Sequence, residues 1–296
     1  MGKHAPLPEE LGEGPFTVGA ARAAGVGEGR LRGSDLRRPF HGVRGPGAAP
    51  AHPALDLIPR LREGDRFSSV TELALLGAPL PGRLERTVHV TAGTGLERPR
   101  LRGVLGHDDD GQPPAWFGVP ISEPGRAFLE AARVLHPDAL VAAGDFLIHV
   151  PRFPEPGRPF ASLDELRSAA ARKRAGARAA RNALELVRPG VESPQETRLR
   201  LLLLRAGLPE PICGFPLDDG RGHRIGWFDL AWPEHRVLGE YDGDEHRTSR
   251  AQYERDIWRF DAAADLDWRV VRVRSWGLGA GARDTVRRFA RALGAL

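Results

Sequence analysis

The sequence predicts an α/β chain whose C-terminal third folds as a mixed sheet flanked by helices, with smaller α+β and helical regions before it. Three observations carry this. The stretch Ile225–His246 reads as two strands around the punctuation Pro233-Glu234-His235, because Trp227, Phe228, Leu230 and Trp232 favour a pleated, half-buried surface. Ser193-Pro194 opens a leucine-rich helix before it. After it come a helix over Thr248–Leu266, a strand over Trp268–Val273 and a closing helix over Arg283–Leu293. Helices on both sides of strands suggest a layered α/β unit.

The chain has 296 residues, enough for two or three domains. Its formal net charge is +4, and its only lysines are Lys3 and Lys173, so arginine carries nearly all the positive charge. Arginine suits phosphate through its bidentate fork. A GC-rich genome also writes Gly, Ala, Pro and Arg by default, so no single arginine decides anything. Cys213 is the one cysteine, which excludes a disulfide within the chain and a thiolate zinc site. No apolar run reaches the ~20 residues of a membrane span. The start, Met1-Gly2-Lys3-His4-Ala5-Pro6, lacks an apolar signal core, and the cytoplasm is the expected location.

Taken in order, Thr17 is placed to cap a short helix that Gly25 ends. Val26–Leu36 reads as a second helix, weakened by glycines and basic at Arg30, Arg32, Arg37 and Arg38. Phe40–Gly45 follows as a hairpin or wing, so residues 1–50 have a winged helix-turn-helix order. A small helical cap that touches no nucleic acid is the alternative. Residues 51–150 read as an α+β region. It holds helices over Leu55–Leu61, Phe67–Leu76, Glu123–Leu135 and Asp138–Leu147, and strands over Thr87–Thr91 and Leu101–His107. The run His107–Gly111 is an acidic turn. Pro151–Pro159 is a Pro-rich boundary, and residues 151–191 form a connector whose helix, begun at Ser162, continues as a basic face through Arg172, Lys173 and Arg174. That face either tracks phosphates or is simply solvated.

Asp229 and Glu240 stand in apolar strands, where an unpaired charge is expensive. Either arginine pairs with them or a divalent cation does. The order of Ser193-Pro194-Gln195-Glu196, Phe228-Asp229-Leu230, Glu240-Tyr241-Asp242-Gly243, His246 and Tyr253-Glu254-Arg255-Asp256 resembles the PD-(D/E)XK nuclease superfamily, in particular its very-short-patch-repair-like endonuclease domains. The resemblance covers residues 192–296 and implies a restriction-endonuclease-like fold and a metal-dependent endonuclease acting on DNA. By the same resemblance Glu196, Asp229, Glu240, Asp242 and His246 are the catalytic set. Asp229, Glu240 and the Tyr241 carbonyl would hold Mg²⁺ or Mn²⁺. Asp242 stands where the superfamily usually has lysine, a departure shared with the very-short-patch-repair branch; it rules out the usual lysine mechanism.

The first half resembles AbiEi-family antitoxins. Phe40-His41-Gly42-Val43-Arg44 matches the end of their winged helix, with Arg44 in the place of an aromatic, and Ser122, Pro124, Arg126, Phe128 and Leu129 match their middle region, with Glu130 in the place of Asp. That likeness implies DNA as a partner through Arg30, Arg32, Arg37 and Arg38, with a toxin and a second copy of the chain as further candidates. It also supports the alternative function, a non-catalytic DNA-binding repressor that uses the nuclease fold as scaffold.

Overall fold

A computed structural model describes residues 5–108, 111, 115–116, 118–243 and 250–295. The chain divides into two compact units, and neither is one continuous segment. Residues 1–135 with 166–180 make the first, and residues 136–165 with 181–296 make the second.

The first unit opens with β1 (Phe16–Thr17), α1 (Val18–Ala23), α2 (Glu28–Leu31), β2 (Leu36–Arg37) and β3 (Val43–Pro46). Thr17 caps α1 as expected, its hydroxyl accepting from Ala20 N at 3.0 Å. The expected second helix shrinks to one turn, because Gly27, Gly29 and Gly33 interrupt it. The strands form a three-stranded sheet in the order β1-β3-β2. This is a small α+β cap around Phe16, Ala21, Leu31 and Leu36.

A 3-10 helix, Pro53–Arg60, leads to β4 (Arg66–Phe67), α3 (Ser69–Leu75), α4 (Gly82–Glu85), β5 (Val88–Thr91), β6 (Val104–His107), β7 (Ala115–Trp116), β8 (Pro120–Ile121) and α5 (Pro124–Ala131). The sheet order is β4-β5-β6, with β5 and β6 parallel. Phe67, Val88, Val90 and Ile121 form its core.

The second unit begins earlier than the Pro-rich boundary predicted. α6 (Pro137–Ile148), expected in the middle region, belongs to it. The reason is polar. Asp145 accepts from Arg188 N at 2.7 Å, from Thr197 Oγ1 at 2.8 Å and from Arg200 Nη2 at 3.2 Å. Arg200 is fully buried, so α6 supplies the carboxylate that a buried guanidinium needs. α7 (Leu163–Ala171) and α8 (Ala177–Leu184) replace the continuous basic helix that was expected. The break is at Gly176, whose φ of +91° an L side chain rarely adopts and whose added Cβ would meet Leu129 O at 2.7 Å.

The remaining elements are α9 (Pro194–Arg205), β9 (Ile212–Asp218), β10 (Arg224–Trp232), β11 (Val237–Tyr241), α10 (Arg250–Asp265), β12 (Arg269–Val273), α11 (Ser275–Leu278) and α12 (Ala282–Ala292). They form a mixed sheet in the order β12-β11-β10-β9, antiparallel except for the β11–β12 pair. Leu199 and Leu203 of α9 and Phe289 of α12 pack with Leu230, Trp232, Val271 and Val273. Ala263 and Phe260 of α10 pack with Phe228, Ala231, Leu238 and Leu217. Helices therefore cover both faces, the α/β architecture the sequence predicts. Phe228 and Ala231 share one cluster although strict alternation would separate them. The β9–β10 register shifts between Arg224 and Gly226, and Gly214 of β9, whose φ is +57°, stands opposite Asp229.

Candidate active site

Three carboxylates meet in the second unit because three elements end there. Ser193 caps α9, its hydroxyl accepting from Glu196 N at 3.2 Å. Glu196 reaches one residue further back, its Oε2 accepting from Glu192 N at 2.9 Å. That bond folds a carboxylate back toward the helix start and buries it to 7% exposure. Burial, then the charge of Asp229, pushes its carboxyl up to about 8.

Asp229 lies one step beyond the Leu230–Gly239 pair, across from Glu240. Tyr241 N donates to Asp229 Oδ2 at 2.6 Å. The Asp229 and Glu240 carboxyls are also hydrogen-bonded to each other, which requires a proton between them. Burial and the neighbouring Glu240 raise Asp229 well above the usual carboxylate range. Burial pushes Glu240 up to about 7, although Arg259 opposes the shift.

Arg259 of α10 is the residue the sequence reading missed. Its Nη2 stands 2.7 Å from Glu240 Oε1 at an angle that makes no hydrogen bond, so that buried oxygen keeps an unmet lone pair. Nη1 donates to Trp227 O. The guanidinium lies 4.8 Å from the Phe228 ring centroid and 5.0 Å from that of Phe260. Gly226 makes room for it, since a Cβ there would fall 2.4 Å from Arg259 Cδ. The glycine was the available signal: a lone Gly inside a strand marks a close approach.

The residues so assembled can share a proton, hold a cation or pair with arginine. No family model matches the chain, and no solved structure matches it. Two curated Mycobacterium tuberculosis proteins are similar to part of it: uncharacterized protein MT2308 of strain CDC 1551 and uncharacterized protein Rv2248 of strain H37Rv. Each is 34% identical over 100 residues, which is 34% of this chain and 36% of the relative. The matched stretch thus spans about a third of the curated relatives' length.

The other expected site residues are placed differently. Asp242 does not join the carboxylates; it accepts from Arg272 Nη2 at 2.9 Å and Arg274 Nε at 3.1 Å, both from the segment at and just after β12. Tyr241 enters the site through its N–H, beside the carbonyl expected as a ligand. His246 lies outside the described residues. Among the described residues, no three His, Cys, Asp or Glu side chains are arranged to hold a metal ion.

Of the expected nucleic-acid contacts, Arg37 forks onto buried Asp56 at 2.6 and 3.0 Å, and Arg30 forks onto Asp35 at 3.0 and 2.7 Å. Arg38 donates to Arg32 O at 3.2 Å. The first two guanidinia hold the cap together and are engaged before any phosphate arrives. Arg172, Lys173 and Arg174 are exposed in the bend between α7 and α8. No helix among the described residues is long and apolar enough to cross a membrane.

Proposed function

We propose that the second unit is a metal-dependent endonuclease that hydrolyses phosphodiester bonds in DNA. The observation that carries this is the convergence of buried Glu196 and Glu240 with half-buried Asp229, all with raised proton affinity, from three different elements. A fold has no structural need for such a cluster, because burying acids without partners is destabilising. The order of these residues along the chain resembles that of the PD-(D/E)XK nucleases.

The donor set fits a hard divalent cation in two of its members. Asp229 and Glu240 would hold it, replacing the proton they share, and Glu240 Oε1 has a lone pair without a hydrogen bond. Glu196 reaches it directly or through water once its bond to Glu192 N relaxes. Such a cation supplies positive charge against the phosphate and acidifies water. The chain's own groups do the rest. Arg259 puts a cation beside Glu240 in a chain with no nearby lysine. Trp227, flanked by the guanidinia of Arg152 at 5.0 Å and Arg224 at 4.8 Å, offers a stacking surface on the strand that carries Asp229.

One observation favours the second reading, a DNA-binding scaffold without catalysis: Arg259 already stands against Glu240, where a cation would act. The experiment is cleavage of a mixed panel of single- and double-stranded DNA by the full chain, with Mg²⁺, Mn²⁺ or chelator. Expected is cleavage only with metal, falling about 100-fold, or about 2.7 kcal/mol, in Asp229→Asn. No cleavage of any substrate under any metal leaves the scaffold.

A further inference from the structure

The first unit contains a cavity of about 520 Å³ that the proposed nuclease chemistry does not use. Its size lies in the range of small-molecule sites. Its floor is a buried ionic network. Glu130 Oε1 takes Arg66 Nη2 at 2.9 Å and Arg126 Nε at 2.7 Å, and Glu130 Oε2 accepts from Ser69 N at 3.1 Å. Burial opposes the charge of Glu130, but the two arginines outweigh it and hold its carboxyl below the ordinary value. Glu130 is therefore an acid already neutralised.

The wall and rim are basic. Arg98, Arg126, Arg133 and Arg174 line the cavity, against Glu130 and the exposed Asp108. Arg98 and Arg133 pair with no carboxylate among the described residues. His107 also faces the cavity; its Nε2 shares a hydrogen bond with His89 Nδ1 at 2.9 Å, and burial lowers its proton affinity, so it meets a ligand as a neutral ring through Nδ1.

Ser69 is the built feature of this wall. It is 4% exposed, its hydroxyl has no hydrogen-bond partner, and its φ of +57° is left-handed, which a non-glycine residue adopts at a cost. A donor without a partner, held in a strained conformation at the side of an arginine-lined cavity, is unexplained by packing.

We propose that this cavity binds a phosphate monoester. The dianion would sit between Arg98 and Arg133, with Ser69 and His107 as hydrogen-bond partners, and the volume leaves room for a sugar-sized group behind it. Two sources share that chemistry: a free nucleoside monophosphate, and the 5′-phosphate end of a nucleic-acid strand.

The test is calorimetric titration of the full chain at constant ionic strength. The probes are inorganic phosphate, a nucleoside monophosphate, the matching nucleoside, and an oligonucleotide with and without a 5′-phosphate. Saturable binding of the monophosphate, with no binding of the nucleoside, is expected. Arg98→Ala/Arg133→Ala should lose affinity at least tenfold. Ser69→Gly separates site from fold: it relieves the backbone conformation and removes the hydroxyl, so melting temperature should rise while affinity drops several-fold. Competition by the 5′-phosphorylated oligonucleotide but not its 5′-hydroxyl form identifies the strand end as the source; absence of competition identifies the free monophosphate. The proposal is overturned if no phosphorylated probe binds, or if the arginine double variant binds as well as the parent. These variants lie in the first unit and leave Asp229 and Glu240 unchanged, so a failure here does not bear on DNA cleavage.

Discussion

The sign of the pH dependence at single residues separates a proton-sharing carboxylate cluster from ordinary ion pairs. Glu196 and Glu240 hold protons up to about pH 8 and 7 in the folded chain, but release them near 4.5 when unfolded. Between those limits the folded state binds more protons, so stability falls as pH rises from about 4.5 through 8. Buried Glu72, hydrogen-bonded by Ser122 and also raised to about 8, adds the same trend from the first unit, so the comparison must be with a variant. Glu196→Gln should flatten the melting-temperature profile over that window; an unaltered slope would mean the carboxyl is not protonated when folded. Asp229→Asn should stabilise the metal-free chain above pH 7 and abolish any stabilisation by Mg²⁺ or Mn²⁺. Arg259→Met leaves Glu240 buried without its cation. A loss of about 3–5 kcal/mol is expected at pH 8, where the acid is charged, and less at pH 5, where it is protonated. Urea denaturation at the two pH values checks this, and equal losses would remove Arg259 from the electrostatics of the site.

Among the elements, α9 and β10 carry the site. Ser193→Ala removes the cap of α9 and should cost about 1 kcal/mol, read from the denaturation midpoint. Leu203→Ala, in the apolar face the helix presents to Leu230 and Val271, should cost about 2–5 kcal/mol. These elements were legible in the sequence because their signals are local: a Ser-Pro start, a leucine face, a Pro-Glu-His turn between apolar strands. The cap at Thr17 and the convergence of Asp229 with Glu240 were legible for the same reason. The second N-terminal helix was over-read because its glycines, expected only to weaken it, cut it to the single turn Glu28–Leu31. The basic helix was over-read because Gly176 passes for an ordinary residue until its neighbour Leu129 is known. Arg259 was out of reach of local patterning, since it meets Glu240 only once α10 has packed on the sheet. The arginine pairing of Asp242 was equally out of reach, because Arg272 and Arg274 follow some thirty residues later in the chain.

For the molecule as a whole, the boundary predicted at residue 192 would part Arg200 from Asp145. A fragment of residues 192–296 would bury that guanidinium without Asp145, and it should aggregate or be degraded where the chain from residue 136 onward stays folded. Limited proteolysis distinguishes the two, and Asp145→Ala in the full chain should lower stability by about 3–5 kcal/mol. Of the two acids in that apolar helix, Asp138 stands at its start and Asp145 in its interior, and nothing local said which segment would claim the second. The interleaving of the two units also sets an order on synthesis. A chain leaving the ribosome N-terminus first cannot complete the first unit at residue 135, because the segment 166–180 that closes it has not emerged. Residues 136–165 come out before that closure and wait for the sheet of the second unit, which arrives last. Nascent chains from which residue 140 and residue 185 have just emerged should therefore differ sharply in protease resistance of the first unit.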